Sequence, residues 1–278
     1  MRATLACALA VAMLAAVSVP RVAAQAPPSA DTPERKALKV CQDPNNLPFS
    51  NTGGEGFENK IAELFARKLG KSVAYTFYPD ATGFIRNTLN AYHCDVVLGT
   101  AQGDDLVQPT NPYYRTGYAA AYHQDGPLKG MDSLSDPRLK TARIGIVAGT
   151  PPATYLAMNG LLGQIKSYRL GVDTRYDSST HDMMDDLDKG EIDVALLWGP
   201  FAGYYASKAK TPTAVVPLTK EQGGPRMVYR IVMGVRHSDQ NWKRALNKLI
   251  SENQDEIQAI LRSYGVPLLD ENDKPIAP

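Results

Sequence analysis

The sequence predicts an α/β protein of two lobes, each a mostly parallel sheet flanked by helices, and three features carry that expectation. Short apolar strands alternate with amphipathic helices from Leu38 onward, and parallel strands need such helical crossovers. The rhythm restarts near Arg143, giving two similar halves. The first strand runs into a stiff polar loop, Asp43-Pro44-Asn45-Asn46-Leu47-Pro48, tipped by Phe49. In open α/β sheets, loops at the carboxyl ends of strands are where ligands or partners are met.

The elements follow in order. A strand over residues 38–41 precedes a helix over 57–69, where Phe57, Ile61, Leu64, Phe65 and Leu69 recur at helical spacing and Gly70 stops the chain. Val73, Tyr75 and Phe77 alternate along a strand over 72–78. A helix over 82–92 leads into a strand over 95–98, which completes βαβαβ. After Pro112-Tyr113-Tyr114 comes a strand over 118–122. The second half offers strands over 143–148, near 167–170, over 193–197 and over 213–216. Helices from 151, over 180–189 and over 201–207 separate them. Residues 227–235 read as a strand and 240–264 as mostly helical, with Trp242, Leu246, Leu249 and Ile250 on one stripe and Ile257, Ile260 and Leu261 on another. Gly265 and Pro267 end that stretch.

Residues 1–24 read as a secretory signal: Arg2 is the positive start, Thr4 to Val19 the apolar run, and Val22-Ala23-Ala24 or Ala24-Gln25-Ala26 the cleavage site. The run is short and Ala-rich for a hydrocarbon core of about 30 Å, and nothing later reads as a membrane span. Residues 25–36, rich in Pro, Ala and charge, read as a disordered leader. The 278-residue chain carries a net charge of +1, which argues against nucleic acid or an anionic membrane as partner. Once the signal is removed, Cys41 and Cys94 remain. Outside the cytoplasm two thiols usually pair, so a disulfide is expected. The alternative is a metal pair, which only His93 would join.

The segments LKVCQDPNNLPFS, GFENKIAELFARKLG, CDVVLGT, NPYYRTGYAAAY, RIGIVAGTPPATYL and EIDVALLWGPFAGYY together resemble type II periplasmic solute-binding proteins over nearly the whole mature chain. More narrowly, the opening loop, Gly-Phe-Glu-Asn and Cys-Asp-Val-Val resemble the J components that accompany methanol dehydrogenases dependent on pyrroloquinoline quinone (PQQ). The resemblance implies a first lobe of residues 37–122 plus 219–278 and a second of 123–218, joined by crossovers near Tyr122 and Leu218. It also implies a calcium- or lanthanide-type PQQ dehydrogenase as partner. No cofactor is expected on this chain itself.

Amino-acid binders of this fold hold the ligand carboxylate with an Arg after the third strand and with free N–H groups at a helix start, and the ammonium with a carboxylate. Here residues 100–112 contain no basic residue and carry Asp104 and Asp105 instead. The second-lobe loop reads Gly149-Thr150-Pro151-Pro152, and proline has no N–H to offer. Lys60 and Trp198 stand where carboxylates are expected. Amino-acid capture is therefore not predicted, and an aromatic rim is. The expected binding or partner surface comprises Asp43, Asn45, Asn46, Phe49, Asn51, Tyr113, Tyr114, Thr150 and Trp198, with Tyr229 nearby. A transport protein for an aromatic or PQQ-like small molecule in the cleft is the other reading. An enzyme would need a cleft carboxyl acid from Asp43, Glu55 or Glu58. Asp43, however, is explained as a turn residue and Glu58 as a helix-start charge. His181 with Asp182, Asp185, Asp186 and Asp188 reads as a solvated helix face rather than a metal site.

Overall fold

The computed structural model describes residues 36–277, so the expected signal segment and all of the expected leader except Lys36 lie outside the described residues. The first half contains β1 (Ala37–Gln42), the hairpin of β2 (Asn45–Asn46) and β3 (Ser50–Asn51), α1 (Phe57–Leu69), β4 (Ser72–Phe77), α2 (Phe84–Asn87), β5 (Val96–Ala101), β6 (Gln108–Pro109) and β7 (Tyr114–His123). The second half contains β8 (Ile144–Val147), α3 (Pro151–Met158), β9 (Ile165–Tyr168), α4 (Ser179–Asp188), β10 (Val194–Trp198), α5 (Gly199–Ala206) and β11 (Thr213–Pro217). Then β12 (Val228–Val235), α6 (Gln240–Glu252) and α7 (Gln254–Ser263) complete the chain. None of these helices is long and apolar enough to cross a membrane.

Strand order is β4-β1-β5-β12-β7-β10-β8-β9. Each lobe thus has a parallel trio at its outer side, β4-β1-β5 in one and β10-β8-β9 in the other. The two long antiparallel strands β7 and β12 run between them. β7 serves both lobes: Tyr114 to Gly117 pair with β12, and Tyr118 to His123 pair with β10 and β11. The changeover therefore falls between Gly117 and Tyr118, not near Tyr122 as the sequence suggested. Alternation marks a strand but not its partners.

Helical stripes on α1, α6 and α7 bury Phe57, Ile61, Leu64, Trp242, Leu246, Ile257 and Leu261 against the first sheet, which returns the carboxyl-terminal helices to lobe 1. The opposite face of that sheet packs Phe84, Ile85, Leu89 and Val107 around Cys41 and Cys94. Those cysteines form a disulfide with Cα atoms 5.5 Å apart. The expected helix over 82–92 shrinks to the four residues of α2, and the chain then turns through Tyr92 at φ 63°. Packing onto the disulfide sets this path over helical propensity. The long carboxyl-terminal helix breaks at Asn253, whose side chain donates to the Leu249 carbonyl at 2.8 Å.

Arg236 anchors this end of the lobe. Its guanidinium is buried, donates to the Leu89 carbonyl, pairs with Asp95 at 2.8 Å and Asp239 at 2.6 Å, and lies 4.6 Å from the Tyr92 ring. Removing the cation between two nearly buried carboxylates is costly. Arg236→Met is expected to lower unfolding free energy by about 3–5 kcal/mol, read as a lower urea midpoint.

Candidate functional site

The opening loop proves to be a clasp between lobes. Asp43, only 4% exposed, accepts from Asn45 N–H at 2.8 Å and Asp80 N–H at 2.6 Å, and both its oxygens lie 2.8 Å from the Thr174 hydroxyl. Asn45 Nδ2 donates to the Thr174 carbonyl at 2.8 Å. Thr174 belongs to the segment after β9, in lobe 2. Phe49 extends the clasp, its ring 5.0 Å from Phe57 of α1 and 5.1 Å from Phe201 of α5. Asn51 closes the loop locally through Glu55.

A second contact joins α5 to the end of α7. The Tyr204 and Tyr264 rings stack at 6.4 Å, and a Cβ on Gly203 would stand 1.8 Å from the Gly265 carbonyl oxygen. Only glycine permits that approach.

Between these contacts, a cavity of about 400 Å³ lies at the carboxyl ends of β1 and β5. One wall is acidic: Asp43, Glu58 and Asp80. The other is aromatic, where Trp198 meets Tyr118 at 5.3 Å and Tyr229 at 5.6 Å, beside Phe49 and Phe201. Among the described residues no Lys, Arg or His lines it. A larger cavity of about 790 Å³ continues into lobe 2, beneath the segment after β9, and is reached by Asn45, Asn46, Thr150 and Trp198.

Glu58 is the residue the sequence misread. It is 6% exposed rather than a solvated helix-start charge, and it packs so closely on Gly99 that a Cβ there would meet Glu58 Oε1 at 2.1 Å. Burial pushes its carboxyl up to about 8, with the charges of Asp80 and Asp43 adding to the effect. At neutral pH Glu58 is therefore mainly a protonated acid, able to donate as well as accept. Asp80 is exposed as a residue yet lines both cavities. Loss of water, then the charge of Asp43, pushes it up to about 6. Nothing singled out Asp80 in the sequence, although it follows β4 in a Pro-Asp turn just as Asp43 follows β1.

Other expected site residues fall elsewhere. Tyr113 and Tyr114 are 1% and 6% exposed and belong to the lobe-1 core, which corrects their assignment to a partner surface. Tyr113 Oη accepts from Gly99 N–H at 3.0 Å, behind Glu58. The pair was expected among the aromatics of the cleft or its rim; both rings are instead buried in the lobe-1 core, in edge contact with each other at 4.8 Å. Asp104 and Asp105 line neither cavity, so the cleft's negative charge comes from other residues than those expected. Lys60 pairs with Glu63 at 3.4 Å, away from the cleft. Pro151 and Pro152 open α3 after Thr150, so the first turn lacks the two donors an anion would use. Among the described residues no group of three His, Cys, Asp or Glu side chains is placed to hold a metal. Asp186 is instead engaged by Lys166 at 2.8 Å and by Tyr168.

No protein-family profile matches the chain. Among solved structures it is similar to the periplasmic binding protein XoxJ from Methylobacterium extorquens AM1, at 41% identity and TM-score 0.73, covering 84% of this chain and all of that one. The chain belongs to the J group of periplasmic binding proteins. A second J-group structure, MxaJ from Methlophaga aminisulfidivorans MPT, shares 27% identity at TM-score 0.72, covering 84% of this chain and all of that one. Protein MoxJ of Methylorubrum extorquens is 29% identical over 251 residues, which are 85% of this chain and 83% of that protein. The J proteins belong to methanol-oxidation systems and carry the type II binding-protein fold, two lobes about a cleft. In this J protein the cleft lies between an acid wall and an aromatic one.

Proposed function

We propose that this J protein is a periplasmic, non-enzymatic accessory protein that engages a PQQ-dependent methanol dehydrogenase, of calcium or lanthanide type, and assists its maturation or activation. The supporting observation is the clasp. A transport protein opens and closes around its solute, whereas here loop 43–51 ties lobe to lobe directly: Asp43 and Asn45 on Thr174, and Phe49 on Phe201. The lost anion site agrees, since neither Thr100 to Pro112 nor the Pro151-Pro152 turn can hold a zwitterion's carboxylate. The outer part of the clasp, with exposed Asn45 and half-buried Asn46 and Asn51, is then a surface offered to the dehydrogenase.

Co-expression tests this directly. Dehydrogenase assembled with the J protein should co-purify with it or show higher activity than dehydrogenase assembled alone. No association at any stage of assembly, together with unchanged activity, defeats the reading. The amino terminus of the exported protein should begin after Ala24 or Ala26.

The aromatic wall favours one second reading, uptake of an aromatic small molecule stacked on Trp198. Thermal-shift screening separates the two: a tight ligand whose binding disappears in Trp198→Ala supports transport.

A further inference from the structure

The floor of the smaller cavity holds an unmet hydrogen-bond donor. Gln42 is 2% exposed and lines the cavity, and its Nε2 has no partner among the described residues. The orientation of the amide is fixed by its neighbour. Asn59 Oδ1 already accepts from Asn51 N–H and Gly56 N–H, both at 3.1 Å, so Asn59 Nδ2 must donate to Gln42 Oε1, at 2.6 Å. That leaves Gln42 Nε2 asking for an acceptor, and an unsatisfied buried donor costs about 1–3 kcal/mol.

Of the three carboxyls in the acid wall, Asp43 is fully used by Thr174, Asn45 and Asp80. Glu58 and Asp80 make no ion pair among the described residues, and no basic side chain lines the cavity to neutralise them. Opposite them stand the faces and edges of Tyr118, Trp198, Phe201 and Tyr229, and such rings attract cations. Among the described residues no basic side chain lines the cavity to hold an anion's charge, and no group of three ligands is placed to hold a metal.

We propose that the cleft binds an organic cation that bears no carboxylate, an ammonium or guanidinium set beside a carbonyl or hydroxyl oxygen. The cation is held by Glu58 and Asp80, the oxygen accepts from Gln42 Nε2, which must be uncovered to receive it, and the apolar remainder lies on Trp198 and Phe201. Two sources supply this chemistry: a free small amine, or a basic side chain of a protein whose own backbone carbonyl is the acceptor. The second deepens, and rests on, the partner reading above.

Cation binding also moves a proton. Glu58 enters the free cleft protonated and leaves it ionised when the cation arrives, so the proton passes to solvent. The charged or titratable groups that face Glu58 are Asp43 and Asp80 from the strand-end loops and Tyr113 and Tyr114 from β7. Among the described residues no cationic side chain lines the cavity.

Isothermal titration calorimetry of the mature protein with N-acetyl-L-arginine amide, ethanolamine, L-arginine and L-glutamate tests this. At least one of the first two should bind, about tenfold or more tighter than L-arginine, with L-glutamate silent. A preference for the arginine amide assigns a protein side chain, and a preference for ethanolamine a free amine. Affinity should rise from pH 6 to pH 8, and the heat should differ between Tris and phosphate because a proton is released. Glu58→Gln should abolish that difference and weaken binding about tenfold. Asp80→Asn, which keeps the backbone N–H that holds Asp43, should also weaken it. Silence from both cations, tighter binding of L-glutamate, or affinity unmoved in both variants overturns the proposal. Dehydrogenase association is measured in parallel with the wild-type protein. Association without probe binding leaves the partner reading standing alone, and probe binding without association leaves the cation site standing alone.

Discussion

Glu58→Gln is expected to remove most of the loss of stability that the wild-type protein suffers as pH rises. In the folded protein the Glu58 carboxyl keeps its proton up to about 8, while in the unfolded chain it releases the proton near its ordinary value of 4.5. Between those values the folded state binds more protons than the unfolded one, so stability falls with rising pH. The contribution is fully present below 4.5 and is lost as pH passes through about 8. Across that window the loss is on the order of 5 kcal/mol, at about 1.4 kcal/mol per pH unit. Glutamine keeps the shape and the neutral state, so urea unfolding of the variant should show little slope between pH 6 and pH 9. Asp80, also raised, leaves a residual slope at lower pH of the same sign. A variant curve parallel to that of the wild type would show that Glu58 is ionised and solvated in the folded protein.

Gly203→Val should separate the lobes. The first side-chain atom would stand 1.8 Å from the Gly265 carbonyl oxygen, and both partners in that contact are backbone, so nothing flexible can yield. The strain is relieved by moving α5 away from the end of α7, which also parts Tyr204 from Tyr264 and Phe49 from Phe201. Small-angle scattering should report a larger radius of gyration. Trp198 emission should shift to longer wavelength as the cleft takes in water. The cost from overpacking is about 1–3 kcal/mol. A variant with unchanged scattering and emission would mean that the lobes do not depend on this contact. If the clasp is what the dehydrogenase meets, the opened variant should also associate more weakly.

The architecture was legible because its signals are local or periodic. Apolar spacing in α1 and α6, alternation in β4, and the break at Gly70 depend on neighbours a few residues apart, and the structure keeps all of them. The Cys41–Cys94 disulfide followed from there being two cysteines left to pair. Where the reading of local signals failed, a distant contact had decided. The residues of 84–89 that promised a full helix pack instead on the disulfide, and along one edge of β7 the pairing passes from β12 to β11 after Gly117 while β10 takes up the other edge.

The site was less legible, and for the same reason. Asp43 and Phe49 could be found as the end of a strand and the tip of a loop, but Thr174 and Phe201, which they hold, lie more than 125 residues away. Glu58 reads as solvated by position in a helix, since the first turn favours acids. Its burial is set by Gly99 and by Tyr113 and Tyr114 behind it. By itself the sequence determined the two α/β halves, the disulfide, the lack of a basic residue over 100–112 and the prolines at 151 and 152, because each is written in residue type and spacing. Only the tertiary structure decided that the opening loop clasps two lobes, and that a carboxyl in the cleft holds a proton at neutral pH. Contact and dehydration are made by residues far apart in the chain, and no pattern along it encodes how closely they meet.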